Sequence, residues 1–383
     1  MPITLGLDIG TTTITALALD ALDGHVLARA TQPNAAEVTS TADRARGRSE
    51  WDAEKMLAAA LVALGEVVGK LGERRGEVVG LGLTGQQHGV VLVDDQTRPL
   101  TPFINWQDRR GEEIVPGTEQ TYTQRAAALL GPDAARRTGC TLASGYLGTT
   151  LFWLREAGQL PAAALANFIT DFVGARLTAT FPVTDPTMAA SSALLHVQAR
   201  EWDPAALQAL GLPPSVFPPV REAGNPLGGL TRDAGRATGL PVGLPVFVGL
   251  GDNQASFVGS VAHRAVSVLV NVGTGAQVSR YVEREEWEAW EGREDALGPG
   301  RPEVRPFPRG GYLLVHAGLF GGRTYALLDR FFRQVGVDLF DRATDAPLYP
   351  RLNELARRVP PGADGLRCEP FFTGSRAAPS GAG

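Results

Sequence analysis

Leu5 to Asp20 reads "LGLDIGTTTITALALD". An alternating apolar run carries a carboxylate at Asp8, breaks at Gly10 into three threonines, and resumes as a second alternating run. That pattern predicts strand, tight turn and strand. Backbone N–H groups and hydroxyls in such a Gly-Thr turn suit phosphate oxygens. The pattern returns at "VSVLVNVGTGAQVSRYV", Val266 to Val282, with Asn271 at the place of Asp8. One hairpin says little, but two copies far apart in the chain imply two similar lobes facing one phosphorylated ligand.

The bulk of the chain agrees with two lobes. At 383 residues it exceeds the size at which a single core usually keeps growing. The Pro-Gly-rich joint "GLPVGLPVF" sets the expected boundary near Leu240, dividing 1–240 from 241–383. Hydrophobic content of 44% and charged content of 20% are those of an ordinary globular protein. A net charge of −5 leaves no basic footprint, which argues against nucleic acid or an anionic membrane as the main partner. Cys140 and Cys368 lack metal-ligand spacing and imply no disulfide framework. No basic leader opens the sequence and no apolar run reaches membrane length, so a cytoplasmic enzyme is expected.

Between the hairpins, Met56, Leu57, Leu61, Leu64, Val67 and Leu71 recur at helical spacing, and "EVVGLGLTG" predicts a buried strand ending at Gly85. Asp8, ending a strand before the turn, suits a magnesium ligand or a turn-forming carboxylate bonded to its own backbone. Asp252, in "VGLGDNQAS", suits a general base or a helix N-cap, and the two roles are compatible. Gln86, Gln87, His88, Asn105, Trp106, Gln107 and Asp108 gather between two strand-like runs. Amides, a carboxylate and a flat indole face suit a polyhydroxylated ligand. Asp171 and Asp185 read as caps or turns. His25, His196, His263 and His316 show no metal spacing. The charged segment 283–308 reads as a solvated surface excursion, with a lid as the sharper alternative.

Taken in order, "GLDIGTTT", "GLTGQQHG", "INWQDRR", "GLGDNQAS" and "NVGTGAQVS" closely resemble the FGGY carbohydrate kinases over nearly the whole chain. The resemblance implies an α/β, two-lobed, actin-like ATPase (ribonuclease H-like) fold. It also implies transfer of the γ-phosphoryl of ATP, with Mg2+, to a sugar or polyol hydroxyl. By position, Asp8 would be the metal ligand and Asp252 the catalytic base. Thr11, Thr12 and Thr13 would hold phosphate in one hairpin, and Gly273, Thr274 and Gly275 in the other. Gln87, His88, Trp106, Asp108 and Asn253 would contact the sugar. A homodimer is the assembly to test.

The Gln-x-His-Gly loop points to ketose kinases. Within them, "WQD", Thr150, Gln254 and Gln277 lean toward sedoheptulokinase, with xylulokinase next. Two departures stand out. Thr15 replaces a lysine common in relatives, and Ser375 replaces the acid of a Gly-Glu-Arg-x-x-Pro loop, after which the adenosine-binding stretch expected of relatives is missing. An incomplete second lobe is therefore expected, and a silent sugar-binding fragment is the rival reading. An actin-like chaperone or filament ATPase ranks last, because it leaves "GQQHG" and "NWQD" without a purpose.

Overall fold

The computed structural model describes residues 2–272, 275–291, 302–320, 322–344 and 346–366. The first lobe grows from a meander of β1 (Ile3–Ile9), β2 (Thr13–Asp20) and β3 (Val26–Pro33), each antiparallel to the last. Helix α1 (Ala53–Leu71) then returns the chain to β4 (Val78–Gly85), which pairs parallel with β1. Asp52 caps α1 by accepting from the amides of Glu54 and Lys55. The helix buries Met56, Leu57, Ala60, Leu64, Val67, Val68 and Leu71 as one stripe. Ile3, Leu5, Leu7 and Ile9 share a hydrophobic cluster with that stripe. Alternation along β1 therefore turns Asp8 to the opposite, open side.

Three later strands complete this sheet: β5 (Pro226–Gly229), β6 (Pro245–Phe247) and β7 (Leu250–Gly251). The order is β5-β6-β4-β1-β2-β3, with β7 also paired to β4, seven strands in all. Beyond the boundary expected near Leu240, β6 and β7 still pair inside the first sheet. The second sheet begins at Val268.

A second core lies beside the first sheet and includes Tyr146, Leu151 and Phe152, the last two from helix α2 (Leu147–Glu156). Two further helices follow, α3 (Ile169–Thr178) and α4 (Pro186–Ala190). Helix α5 (Asp252–Ser260) leads to the second lobe. There β8 (Val268–Val272), β9 (Gly275–Val282), β10 (Glu303–Pro306) and β11 (Tyr312–Phe320) form an antiparallel sheet ordered β8-β9-β11-β10. Strands β8 and β9 pair as the second hairpin, Val272 opposite Ala276, while Gly273 and Thr274 at its turn lie outside the described residues. Val268, Val270 and Val272 are exposed on this edge strand.

The segment 283–308 departs from the expected surface excursion where it is described. Helix α6 (Arg284–Glu291) buries Trp287 against Tyr312, and β10 docks the second lobe onto the first. Val304 donates its amide to Gly139 O at 2.7 Å and Arg305 reaches Ala190 O at 2.7 Å. Gly139 is left-handed (φ +76°), and a Cβ there would lie 2.1 Å from Val304 O, so only glycine admits the strand. Charge dominates the composition of this segment, while Val304 to Phe307 and Trp287 are buried.

Candidate active site

The site forms where β1, β4 and β7 end together. Asp8 pairs with Thr84, and Thr84 with Leu250, so one row crosses three parallel strands. The Thr84 hydroxyl donates to Leu250 O at 2.9 Å and ties the row. Two strand spacings, about 10 Å, separate the backbones of Asp8 and Leu250, and Asp252 follows two residues on at the start of α5. Carboxyl ends of parallel strands are where open α/β sheets bind ligands.

The two carboxylates feel each other. Burial pushes the Asp252 carboxyl up to about 7, the negative charge of Asp8 adds to that rise, and the hydrogen bond from the Asn253 amide opposes it. Burial also raises Asp8 above the ordinary carboxylate range. Both side chains still reach solvent, so their surroundings remove part of their hydration without sealing them in.

The polar loop after β4 is held in place by the segment Asp185 to Ser192. Gln87 donates from Nε2 to Thr187 O at 2.9 Å and to Gln254 Oε1 at 3.3 Å. His88 is left-handed (φ +78°), a conformation that costs about 1–3 kcal/mol in a residue other than glycine. Three contacts offset that strain. Its ring stacks on Tyr146 at 4.1 Å and 9°, Nδ1 lies 2.8 Å from Ser191 O, and its amide donates to Ser191 Oγ at 3.0 Å. A carbonyl only accepts, so Nδ1 carries the proton, and in the neutral ring Nε2 is the acceptor.

Residues 3–259 match the FGGY family of carbohydrate kinases, N-terminal domain. The chain belongs to this family. It is 34% identical to an L-fuculokinase of Salmonella typhi over 269 residues, 69% of this chain and 54% of that protein. It is 29% identical to human sedoheptulokinase over 93% of this chain and 74% of the other. The xylulose kinase structure from Rhodospirillum rubrum superimposes with a TM-score of 0.78 at 25% identity, over 98% of this chain and 70% of that one. The match to the L-fuculokinase thus spans about half of its length. The two-lobed actin-like fold expected from the hairpins is the fold observed.

Among the residues singled out by FGGY resemblance, Asp8, Thr11, Gln87, His88, Trp106 and Asp252 converge on the row of strand ends. Thr12 and Thr13 are exposed on the first turn, as a phosphate contact requires. Thr11 is engaged differently. Its hydroxyl accepts from Trp106 Nε1 at 2.9 Å and donates to Gln86 Oε1 at 3.0 Å, so the side chain braces the indole rather than facing the turn's opening.

Asp108 departs further from its expected sugar contact. Its Oδ1 accepts from the amide and Nε of Arg110, and its Oδ2 from Nη2 of Arg110 and the Ser49 amide. A carboxylate has about four acceptor positions, so none remains for a sugar. Asn253 is buried and accepts from Ser279 Oγ at 3.3 Å, joining α5 to β9. Gly275 lies in β9, and its partners in the expected phosphate contact, Gly273 and Thr274, lie outside the described residues. Asp185 is the expected N-cap, accepting from the Thr187 and Met188 amides.

Three participants were not singled out from sequence: Tyr146, Thr187 and Arg305. Arg305 is buried, pairs with Glu303 at 2.6 Å, and stands over the Tyr146 ring at 5.8 Å. No local pattern announces any of them, because each acts on a residue distant in sequence.

Proposed function

We propose that the chain transfers the γ-phosphoryl group of ATP to a ketose hydroxyl, with sedoheptulose the first candidate. The observation that carries this reading is the pair of carboxylates, Asp8 and Asp252, brought to neighbouring strand ends close enough for the charge of one to act on the other, with Gln87, His88 and Trp106 nearby. Asp252, with its carboxyl near 7, takes the proton of the sugar hydroxyl. That oxygen forms a bond to the γ-phosphorus as the bond to the ADP oxygen breaks. Gln87 and His88 hold sugar hydroxyls, and Trp106 covers a C–H face.

Asp8 suits magnesium in its chemistry. It is an open oxygen donor, and a divalent cation relieves the like-charge repulsion between Asp8 and Asp252. Among the described residues no group of three or more His, Cys, Asp or Glu is assembled for a metal. One carboxylate plus substrate phosphates is ordinary magnesium coordination. When bound, magnesium supplies charge neutralisation at the phosphates. Thr12 and Thr13, with Gly273, Thr274 and Gly275, hold the phosphate oxygens.

The test is ADP release on sedoheptulose, xylulose, L-fuculose and glycerol, by wild type and Asp252→Ala. Sedoheptulose turnover that falls by about 10²–10⁴-fold in the variant is expected. No turnover on any sugar, or turnover indifferent to Asp252, refutes the reading. L-fuculose is the second candidate, favoured by the 34% identity to L-fuculokinase.

A further inference from the structure

We infer that Thr187 is a positioning residue that sets the spacing between the sugar-binding amide of Gln87 and the base Asp252. The inference rests on the kinase reading above. Thr187 is fully buried, away from solvent. Its backbone carbonyl accepts from Gln87 Nε2 at 2.9 Å, and its hydroxyl accepts from the Gly251 amide at 2.8 Å, one residue before Asp252. One residue of α4 thus holds two functional groups that arrive from different elements, the loop after β4 and the joint between β7 and α5.

The hydroxyl can accept from Gly251 because its own proton is committed elsewhere. Thr187 Oγ1 donates to Asp185 Oδ1 at 2.8 Å, while the Thr187 and Met188 amides point at the same carboxylate, at 3.1 and 2.9 Å. A hydroxyl has one proton, so fixing it on Asp185 leaves a lone pair for the Gly251 N–H. Gly251 is the N-cap of α5 and has no side chain to cap it. Its backbone is held on one side by the pairing with Gly85 and on the other by Thr187. Without the second anchor the start of α5 is free to shift. A displacement near 1 Å at a catalytic group can cost about 10²-fold in rate.

The same bracket holds the rest of the sugar loop. Ser191 fixes His88 through its carbonyl and hydroxyl, and Arg305 of the second lobe fixes Ala190 O. Thr187 differs from these in touching the base and the sugar side together.

The experiment compares wild type, Thr187→Val, which keeps the side-chain shape and removes the hydroxyl, and Thr187→Ser, which restores it. Amide hydrogen exchange at Gly251, ketose KM and kcat are measured on the 383-residue chain. Thr187→Val should speed Gly251 exchange by about 10-fold or more. It should also lower kcat by about 10- to 100-fold with KM changed by less than about 3-fold. Thr187→Ser should return both toward wild type. A Thr187→Val variant with wild-type kcat overturns the inference, as does a loss of kcat that Thr187→Ser does not rescue. A wild-type chain without turnover removes the kinase reading instead. The Gly251 exchange then decides the inference: protection equal in wild type and Thr187→Val overturns it.

Discussion

Gly251→Ala is a demanding perturbation because its effect is steric and local. Gly251 has φ −66° and ψ 145°, a conformation alanine adopts freely, so no backbone strain is introduced. A Cβ there would lie 2.2 Å from Gln87 Nε2, 2.7 Å from its Cδ and 3.0 Å from Gln254 Oε1. Ordinary separations begin near ~3.5 Å, so the Gln87 amide must retreat by about 1 Å. Its bonds to Thr187 O and Gln254 Oε1 do not survive that movement. Two neutral hydrogen bonds are worth about 1 kcal/mol each, and orphaned buried acceptors add to the loss, giving about 2–4 kcal/mol of destabilisation. Loss of the Gln87 contact should weaken ketose binding by about 5- to 10-fold. Thermal denaturation and calorimetric titration with the ketose measure both effects. In the double variant Gly251→Ala with Gln87→Ala the clash is gone, so stability should partly return while ketose binding stays weak. A Gly251→Ala chain with wild-type stability and affinity refutes the reasoning.

Four further outcomes are expected. Asp252 accepts a proton only as the carboxylate, and its carboxyl lies near 7, so kcat/KM should rise with pH through about 7 and level off above it. Asp8→Asn removes the neighbouring negative charge and favours ionised Asp252. Carboxyl 13C NMR of the metal-free variant should show the titration at lower pH, and an unmoved or higher midpoint contradicts the pairing. Thr11→Val removes the acceptor of Trp106 Nε1, so ketose KM should rise by about 5-fold with ATP KM changed by less than about 2-fold. The opposite pattern returns Thr11 to the phosphate site. Asp108→Ala strips the buried Arg110 of its main partner and should lower stability by about 3 kcal/mol in chemical denaturation, whereas a purely sugar-binding Asp108 would leave it unchanged.

The hairpins and α1 were legible in sequence because their signals are local. Alternation at Ile3, Leu5, Leu7 and Ile9, and the stripe from Met56 to Leu71, report burial one element at a time. The polar cluster from Gln86 to Asp108 was legible as a cluster, yet the division of labour inside it was not. Asp108 and Trp106 differ only in what stands beside them after folding: an arginine fork for one, the Thr11 hydroxyl for the other. The segment 283–308 misled because charge dominates its composition, while Trp287, Val304 and Arg305 are buried by contacts across the lobes.

Sequence by itself determined the family, the duplicated Gly-Thr turn and the two acidic residues beside strand ends, since residue order and short-range periodicity carry those facts. Tertiary structure alone decided that the charge of Asp8 acts on Asp252, that Asp108 is consumed by Arg110, and that Thr187 joins Gln87 to Gly251. Such contacts depend on strand register and on which polar atoms are left to pair once the elements pack together, and a linear pattern records neither.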